Sequence, residues 1–164
     1  MKGSEAIVGA LKNTHEILTM YLADFSDADL LVRPVPSANH TAWQLGHMID
    51  AERHLVHMGI PDAKFPDLPV GFAEKHTKAT AGKDDPAAFF TKAEYLDLFN
   101  KFRETTIATV AKLSDADLDK PTTGPMAQFA PTVGVAFLAV ANHTMMHAGQ
   151  FTVARRKLGK PVLF

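Results

Sequence analysis

Two histidines, His143 and His147, stand four residues apart in the stretch NHTMMHAGQ. On a helix that spacing places both imidazoles on one face, with about 5–6 Å between Cβ atoms. Such a pair can share a metal ion, but two ligands do not complete a site. Catalytic zinc usually takes three protein ligands and keeps a position for water or substrate. The third must come from another segment, and TAWQLGHMIDAERHLVH supplies His47, His54 and His57. His47 and His54 are seven residues apart, roughly 10.5 Å along a helix axis, so they cannot bind the same ion. His47, flanked by Leu45, Gly46, Met48 and Ile49, reads as buried; His54 and His57, beside Glu52 and Arg53, read as solvated. The plain alternative for the 143/147 pair is two structural histidines on an apolar helix. Yet Val133, Ala136, Ala139 and Val140 precede the pair, and Ala148 and Phe151 follow it. A buried polar group without a partner costs about 1–3 kcal/mol, and a shared cation would satisfy both rings. His15, His40 and His76 read as surface or structural residues.

Other side chains narrow the chemistry. A metalloprotease H-E-x-x-H motif would place glutamate directly after the first histidine, and Thr144 stands there instead. Asp50, one turn after His47, is the carboxylate placed to orient a ligand ring or act as a base; its plain role is a surface charge. Gln150, one turn after His147, could meet substrate or make a packing hydrogen bond. Met48, Met145 and Met146 could line a pocket, although methionine at helical spacing is more often core filler. Gly149 suggests close approach of another helix, and Trp43 an anchor for the first turn of its own. Arg155, Arg156 and Lys157 suit the negative end of a helix dipole. The chain has no cysteine, which removes disulfides, thiolate ligands and a cysteine nucleophile.

Helical periodicity dominates the segments that must carry these residues. Ile7, Leu11, Leu18, Tyr21, Leu22 and Phe25 mark one apolar stripe. A second helix is expected from Thr41, with Thr41 and Gln44 at capping-box spacing, ending before Gly59 and Pro61. A third is expected after Thr91, boxed by Glu94, and a fourth after Thr132, ending at Gly159 and Pro161. No stretch alternates with period two, so the pattern predicts an all-α domain of four long helices over residues 1–164. Residues 61–90 are rich in Pro, Gly and Asp and should hold a short helical turn at most. Bundle connections usually take about 2–8 residues; one this long suits a crossover between helices two and three rather than a tight hairpin. The pentapeptide SDADL occurs at 26–30 and again at 114–118. Each copy follows an amphipathic helix and precedes a helix that carries histidine. Ser26 with Asp29, and Ser114 with Asp117, have the spacing of capping boxes. The echo is either chance or the mark of two similar halves.

Length and composition exclude several classes. The chain has 164 residues, is 46% hydrophobic and 21% charged, and carries a formal net charge of −1. That suits a globular domain with a core of its own and gives no electrostatic footprint for nucleic acid or anionic membrane. The longest apolar run, VGVAFLAVA, falls far short of the about 20 residues that span a bilayer. The stretch MKGSEAIVGALKN lacks the apolar region and cleavage site of a signal peptide, so a cytoplasmic location is expected.

The segments NHTAWQLGHMIDAERH, DPAAFFTKAEYLDLFNKFRE, LSDADLDKP and ANHTMMHAGQFTVARRKLGKP together resemble the DinB-like superfamily, from about residue 5 to 161. The most specific element is one histidine on the second helix followed far downstream by H-x-x-x-H-x-G-Q. The resemblance implies a four-helix bundle with an unusual connection order and a divalent metal, zinc or nickel, held by His47, His143 and His147. It also implies a homodimer acting on a small molecule. Family members with assigned roles include transferases and isomerases that use a low-molecular-weight thiol, and others are described as metal-dependent hydrolases. The expected activity is thiol-dependent S-transfer; hydrolysis, or metal or small-ligand binding without catalysis, are the alternatives.

Overall fold

The computed structural model describes residues 1–163. In chain order its α-helices are α1 (Gly3–Leu22), α2 (Asp27–Leu30), α3 (Thr41–His57), α4 (Phe72–Lys75), α5 (Lys92–Val110), α6 (Asp115–Leu118) and α7 (Val133–Lys157). The four long helices α1, α3, α5 and α7 form the bundle, and the short ones sit in the links. Among the described residues the only extended pairing is an isolated bridge between Pro121 and Thr132.

The caps at Thr91 and Thr132 are as expected: Thr91 closes a box with Glu94, and the Thr132 hydroxyl accepts from the Val135 N–H. The start of α3 differs. Its N-cap is His40, whose Nδ1 accepts the Trp43 N–H at 3.1 Å, and Thr41 is already helical. Histidine can cap here because Nε2–H is occupied by the Lys83 carbonyl at 3.0 Å, leaving Nδ1 as the acceptor. Gln44 is thereby freed from the capping role its spacing suggested.

The contacts fix the topology. The N-terminus of α5 meets the residues just after α1, through Lys92 N–H to Asp27 at 2.6 Å, so α1 and α5 run antiparallel. Arg155 near the end of α7 donates to the Tyr21 carbonyl near the end of α1, so these two run parallel. Gly59, just past α3, abuts Val133 at the start of α7, which makes that pair antiparallel. It follows that α3 and α5, which pack together, are parallel neighbours. A chain leaving the end of one must retrace the bundle, roughly 25 Å at 1.5 Å per residue, to start the other. That is the physical reason for the long connection through residues 61–90. It carries more local structure than composition suggested: α4 plus 3-10 turns at Lys78–Thr80 and Pro86–Ala88. It is pinned to the bundle by Trp43 Nε1–H to the Thr77 carbonyl at 3.1 Å and by Arg33, which donates to Asp84 and to the Ala81 and Lys83 carbonyls. His76, expected to be inert, is buried against Gly46, where any Cβ would overlap its ring. Its Nδ1–H donates to the Phe72 carbonyl and its Nε2 accepts from the Tyr95 hydroxyl, both at 2.7 Å.

The SDADL echo is structural. Each copy forms one capped turn, with Ser26 and Asp29 in the first playing the parts of Ser114 and Asp117 in the second. The first aspartate of each turn also reaches across the bundle. Asp27, following α1, accepts from the first N–H of α5, while Asp115, following α5, accepts from the first N–H of α1 (Gly3, 3.0 Å). Each half thus caps the leading helix of the other, and α3 and α7 are the corresponding histidine-bearing helices.

Asp27→Ala and Asp115→Ala are each expected to lower unfolding free energy by about 1 kcal/mol, the usual cost of a lost helix cap. Their effects should add, because the two caps lie at opposite ends of the bundle. Urea denaturation of the single and double variants checks this, and an unchanged midpoint in all of them would show the caps to be energetically idle.

Candidate metal centre

The turn of α7 that carries His143 and His147 is held from within the bundle. Thr144, between them, is buried and accepts from Arg103 Nη2–H at 2.8 Å. Arg103 itself is bidentate with Glu52 of α3, at 3.0 and 2.9 Å, and donates to the Leu11 carbonyl and the Thr14 hydroxyl of α1. Glu52 is 2% exposed.

On that frame the three predicted imidazoles converge. One ring nitrogen from each of His47, His143 and His147 lies within 4.8 Å of the others. His143 Nε2 and His147 Nε2 are 3.0 Å apart. The Trp43 indole stacks on His47 with ring centres 5.1 Å apart and planes within 11°. His54 lies outside this cluster: its side chain is largely exposed and its Nδ1–H donates to the Asp50 carbonyl at 2.8 Å. His57 instead bonds the Ala63 carbonyl.

Gln44 was missed by sequence reasoning. Its side chain is buried, with Nε2–H donating to the Asn39 carbonyl and Oε1 accepting from His147 Nδ1–H, both at 2.7 Å. The first bond fixes which end of the amide faces the histidine; the second fixes the tautomer that leaves His147 Nε2 as a lone pair. Ligand histidines commonly have their second nitrogen held in this way. The only sequence trace of the role is that Gln44 lies one turn before His47, and the bond itself spans the gap between α3 and α7.

Electrostatics favour neutral rings. Burial pushes His143 down to about 4, with the His47 charge adding to the effect. Burial and the two neighbouring imidazoles push His147 down to about 3. His47 is lowered by burial too, with Asp50 pulling the other way. All three rings therefore offer lone pairs at neutral pH, the form a cation requires. Two imidazole nitrogens at 3.0 Å sit close to the spacing imposed by a common ion with Zn–N bonds of about 2.0–2.1 Å.

The remaining candidates lie around this cluster. Asp50 is half-buried and paired with Arg53 at 2.6 Å, with His54 at 3.4 Å. Gln150 is exposed on α7. Met48 is core, whereas Met145 and Met146 are exposed. Gly149 has open space where a Cβ would stand, so it admits no neighbouring helix within the chain, contrary to expectation; Gly46, against His76, and Gly59, against Val133, are glycines in close contact. Arg155 does more than face a dipole: it is buried in an ion pair with Asp24.

The arrangement is a helical bundle with three histidines placed so that they could hold one metal ion. The sequence model of the DinB superfamily matches residues 10–151, and the chain belongs to that superfamily. Two solved structures share its fold. A conserved protein from Enterococcus faecalis is 18% identical, with 98% of this chain and 99% of that one covered and a TM-score of 0.71. YfiT from Bacillus subtilis, described as a probable metal-dependent hydrolase with an unusual four-helix bundle topology, is 14% identical, with 96% and 89% covered and a TM-score of 0.68. No functionally curated protein matches the chain.

His147→Ala is expected to abolish stoichiometric metal binding while leaving the helical circular-dichroism spectrum intact. Gln44→Leu should weaken metal affinity by about 10- to 100-fold, and Gln44→Glu, which keeps an acceptor for Nδ1–H, should lose less. Competition against a chelator measures both. Equal affinity in wild type and Gln44→Leu would remove Gln44 from the site.

Proposed function

We propose that this DinB-superfamily chain is an enzyme that uses a divalent metal held by His47, His143 and His147 to transfer a low-molecular-weight thiol onto an electrophilic small molecule. The observation that carries the reading is a centre of three neutral imidazoles whose neighbouring carboxylates are already engaged. A divalent cation there keeps its full charge and supplies Lewis acidity, enough to lower the pKa of water to about 7 or to hold a thiol deprotonated.

The chain's own groups favour the thiol. A hydrolase is served by a free general base beside its nucleophile. Asp50 is paired with Arg53 and His54, and Glu52 is locked to Arg103. A thiol is intrinsically far more acidic than water and would depend less on such a base. The chain has no cysteine, so the thiol is a cosubstrate. Gln44 and Trp43 hold His147 and His47 in place, and Asp50 acts on His47 through its charge. Gln150, on the exposed side of α7, meets either the substrate or a second subunit.

Zinc and nickel both suit imidazole ligands. The whole chain works as one domain, in the cytoplasm. An apolar stripe on α7, comprising Val135, Leu138, Met145 and Val153 with Asn142 and Gly149 in register, is exposed and supports a homodimer. Hydrolysis is the second reading, favoured by the description of YfiT. Non-catalytic metal or ligand binding is the third.

Metal-loaded protein mixed with monochlorobimane or a nitroaromatic chloride should form conjugate only when a thiol such as glutathione, bacillithiol or mycothiol is present, and His143→Ala should abolish it. Thiol-independent turnover of an ester would favour hydrolysis; stoichiometric metal without turnover of any electrophile would favour the binding protein.

A further inference from the structure

A pocket of about 350 Å³ opens directly against the centre, with His47 and His143 forming part of its wall. That lies within the range of about 300–1,000 Å³ typical of small-molecule sites. The rest of the wall is largely apolar. Ala51, Leu55 and Met58 continue from His47 along one face of α3, Ala139 faces them from α7, and Met126 comes from the link before α7. None of these residues comes from the 61–90 connection. The spacing 47, 51, 55, 58 is that of a helical stripe, so the pocket is a trough leading away from the imidazoles.

From this lining we propose that the pocket takes an uncharged, mainly apolar substrate, with its reactive end at the imidazoles and its apolar body lying along the α3 stripe. The inference rests on the metal-centre reading above. Three features carry it. The small side chains at Ala51 and Ala139 leave the space open. Met58 and Met126 are long, unbranched and adaptable, which suits a body of variable shape. No lysine or arginine lines the pocket among the described residues, and the nearby Arg53 is bound to Asp50. A phosphate or carboxylate entering it would be desolvated without a cationic partner, which is costly. Apart from the two metal-site rings, His54 is the one polar side chain of the wall. With Nδ1–H on the Asp50 carbonyl, its Nε2 is left to meet a polar group such as a hydroxyl or amide.

The test needs no turnover. Protein loaded with Co²⁺ is titrated with hydroxamates that share one metal-binding head: acetohydroxamate, hexanohydroxamate, and a tail of the same length ending in carboxylate. Binding is read from the visible spectrum of the cobalt. The hexanoyl probe should bind at least about tenfold more tightly than the acetyl probe, since each buried methylene contributes roughly 0.8 kcal/mol. The carboxylate should lose most of that gain. Ala51→Trp, which fills the trough, should erase the difference while metal content persists. Equal affinity of the acetyl and hexanoyl probes in the wild type, or tight binding of the carboxylate tail, overturns the inference while leaving the metal centre standing. Failure to take up cobalt overturns the metal-centre reading and the inference with it. The wild-type series decides the matter even if Ala51→Trp does not fold.

Discussion

The bundle is organised around one buried guanidinium. Arg103 is 1% exposed, and its N–H groups are distributed among Glu52 on α3, Leu11 and Thr14 on α1, and Thr144 on α7. Its own helix, α5, makes the fourth. Its face also stacks toward the Phe99 ring at 5.1 Å. A buried ion pair is poor evidence of net stability, because desolvation offsets much of the attraction. Removing one partner, however, strands the other charge, which typically costs about 3–5 kcal/mol. The pair therefore acts mainly as a constraint: any slip of one long helix against the others breaks a bond that nothing else can replace. Apolar packing on both sides, from Leu11 and Phe137 to Phe99 and Phe151, excludes the water that would otherwise substitute.

That constraint reaches the imidazoles through short paths. Thr144 lies between His143 and His147, so the bond from Arg103 sets the height and rotation of the turn that carries both. Glu52 lies on the same helix as His47 and fixes it relative to that turn. Gln44 then adds a direct tie from α3 to His147. The His147 and His47 rings are oriented by Gln44 and Trp43, which are themselves buried and hydrogen-bonded, which is how a site is held to a fraction of an ångström. None of these supporting groups needs to move for a ligand to approach, because the pocket opens on the other flank, between Ala51 and Ala139.

The all-helical architecture was legible because its signals are local. Apolar stripes, threonine caps at Thr91 and Thr132, and the serine turns at Ser26 and Ser114 depend on residues within a few positions of one another. That His47 and His54 cannot share an ion was legible from axial rise, and the preference for His47 from its apolar neighbours. The partners that stayed hidden share the opposite property. Glu52 pairs with a residue 51 positions away, Gln44 with one 103 away, and His76 with Tyr95 across a loop and a helix start. In the sequence each resembles an ordinary polar residue. The misplaced start of α3 has a local form but a distant cause: His40 caps because Lys83, on the long connection, occupies its other nitrogen. Gly149 and Gly46 make the same point about close contacts, since a glycine shows in sequence only that space was allowed, not which one was used.

The repeated turn separates what the fold shares between its halves from what the site takes from each. Asp27 and Asp115 play equivalent parts, each capping the leading helix of the other half, and this reciprocity makes α1 and α5 antiparallel partners. Two equal halves would place equal ligands on α3 and α7. They do not: α3 brings one imidazole, with Trp43 stacked on it, and α7 brings two, one of them held by Gln44. The halves diverge in their links as well, since α1 reaches α3 through residues 23–40 and α5 reaches α7 through 111–132. The longer second link carries Met126, which closes one side of the pocket. The common framework supplies rigidity, and the unequal parts supply an open flank and a closed one. A three-ligand centre requires that inequality, because symmetric donation from two helices gives an even number of ligands.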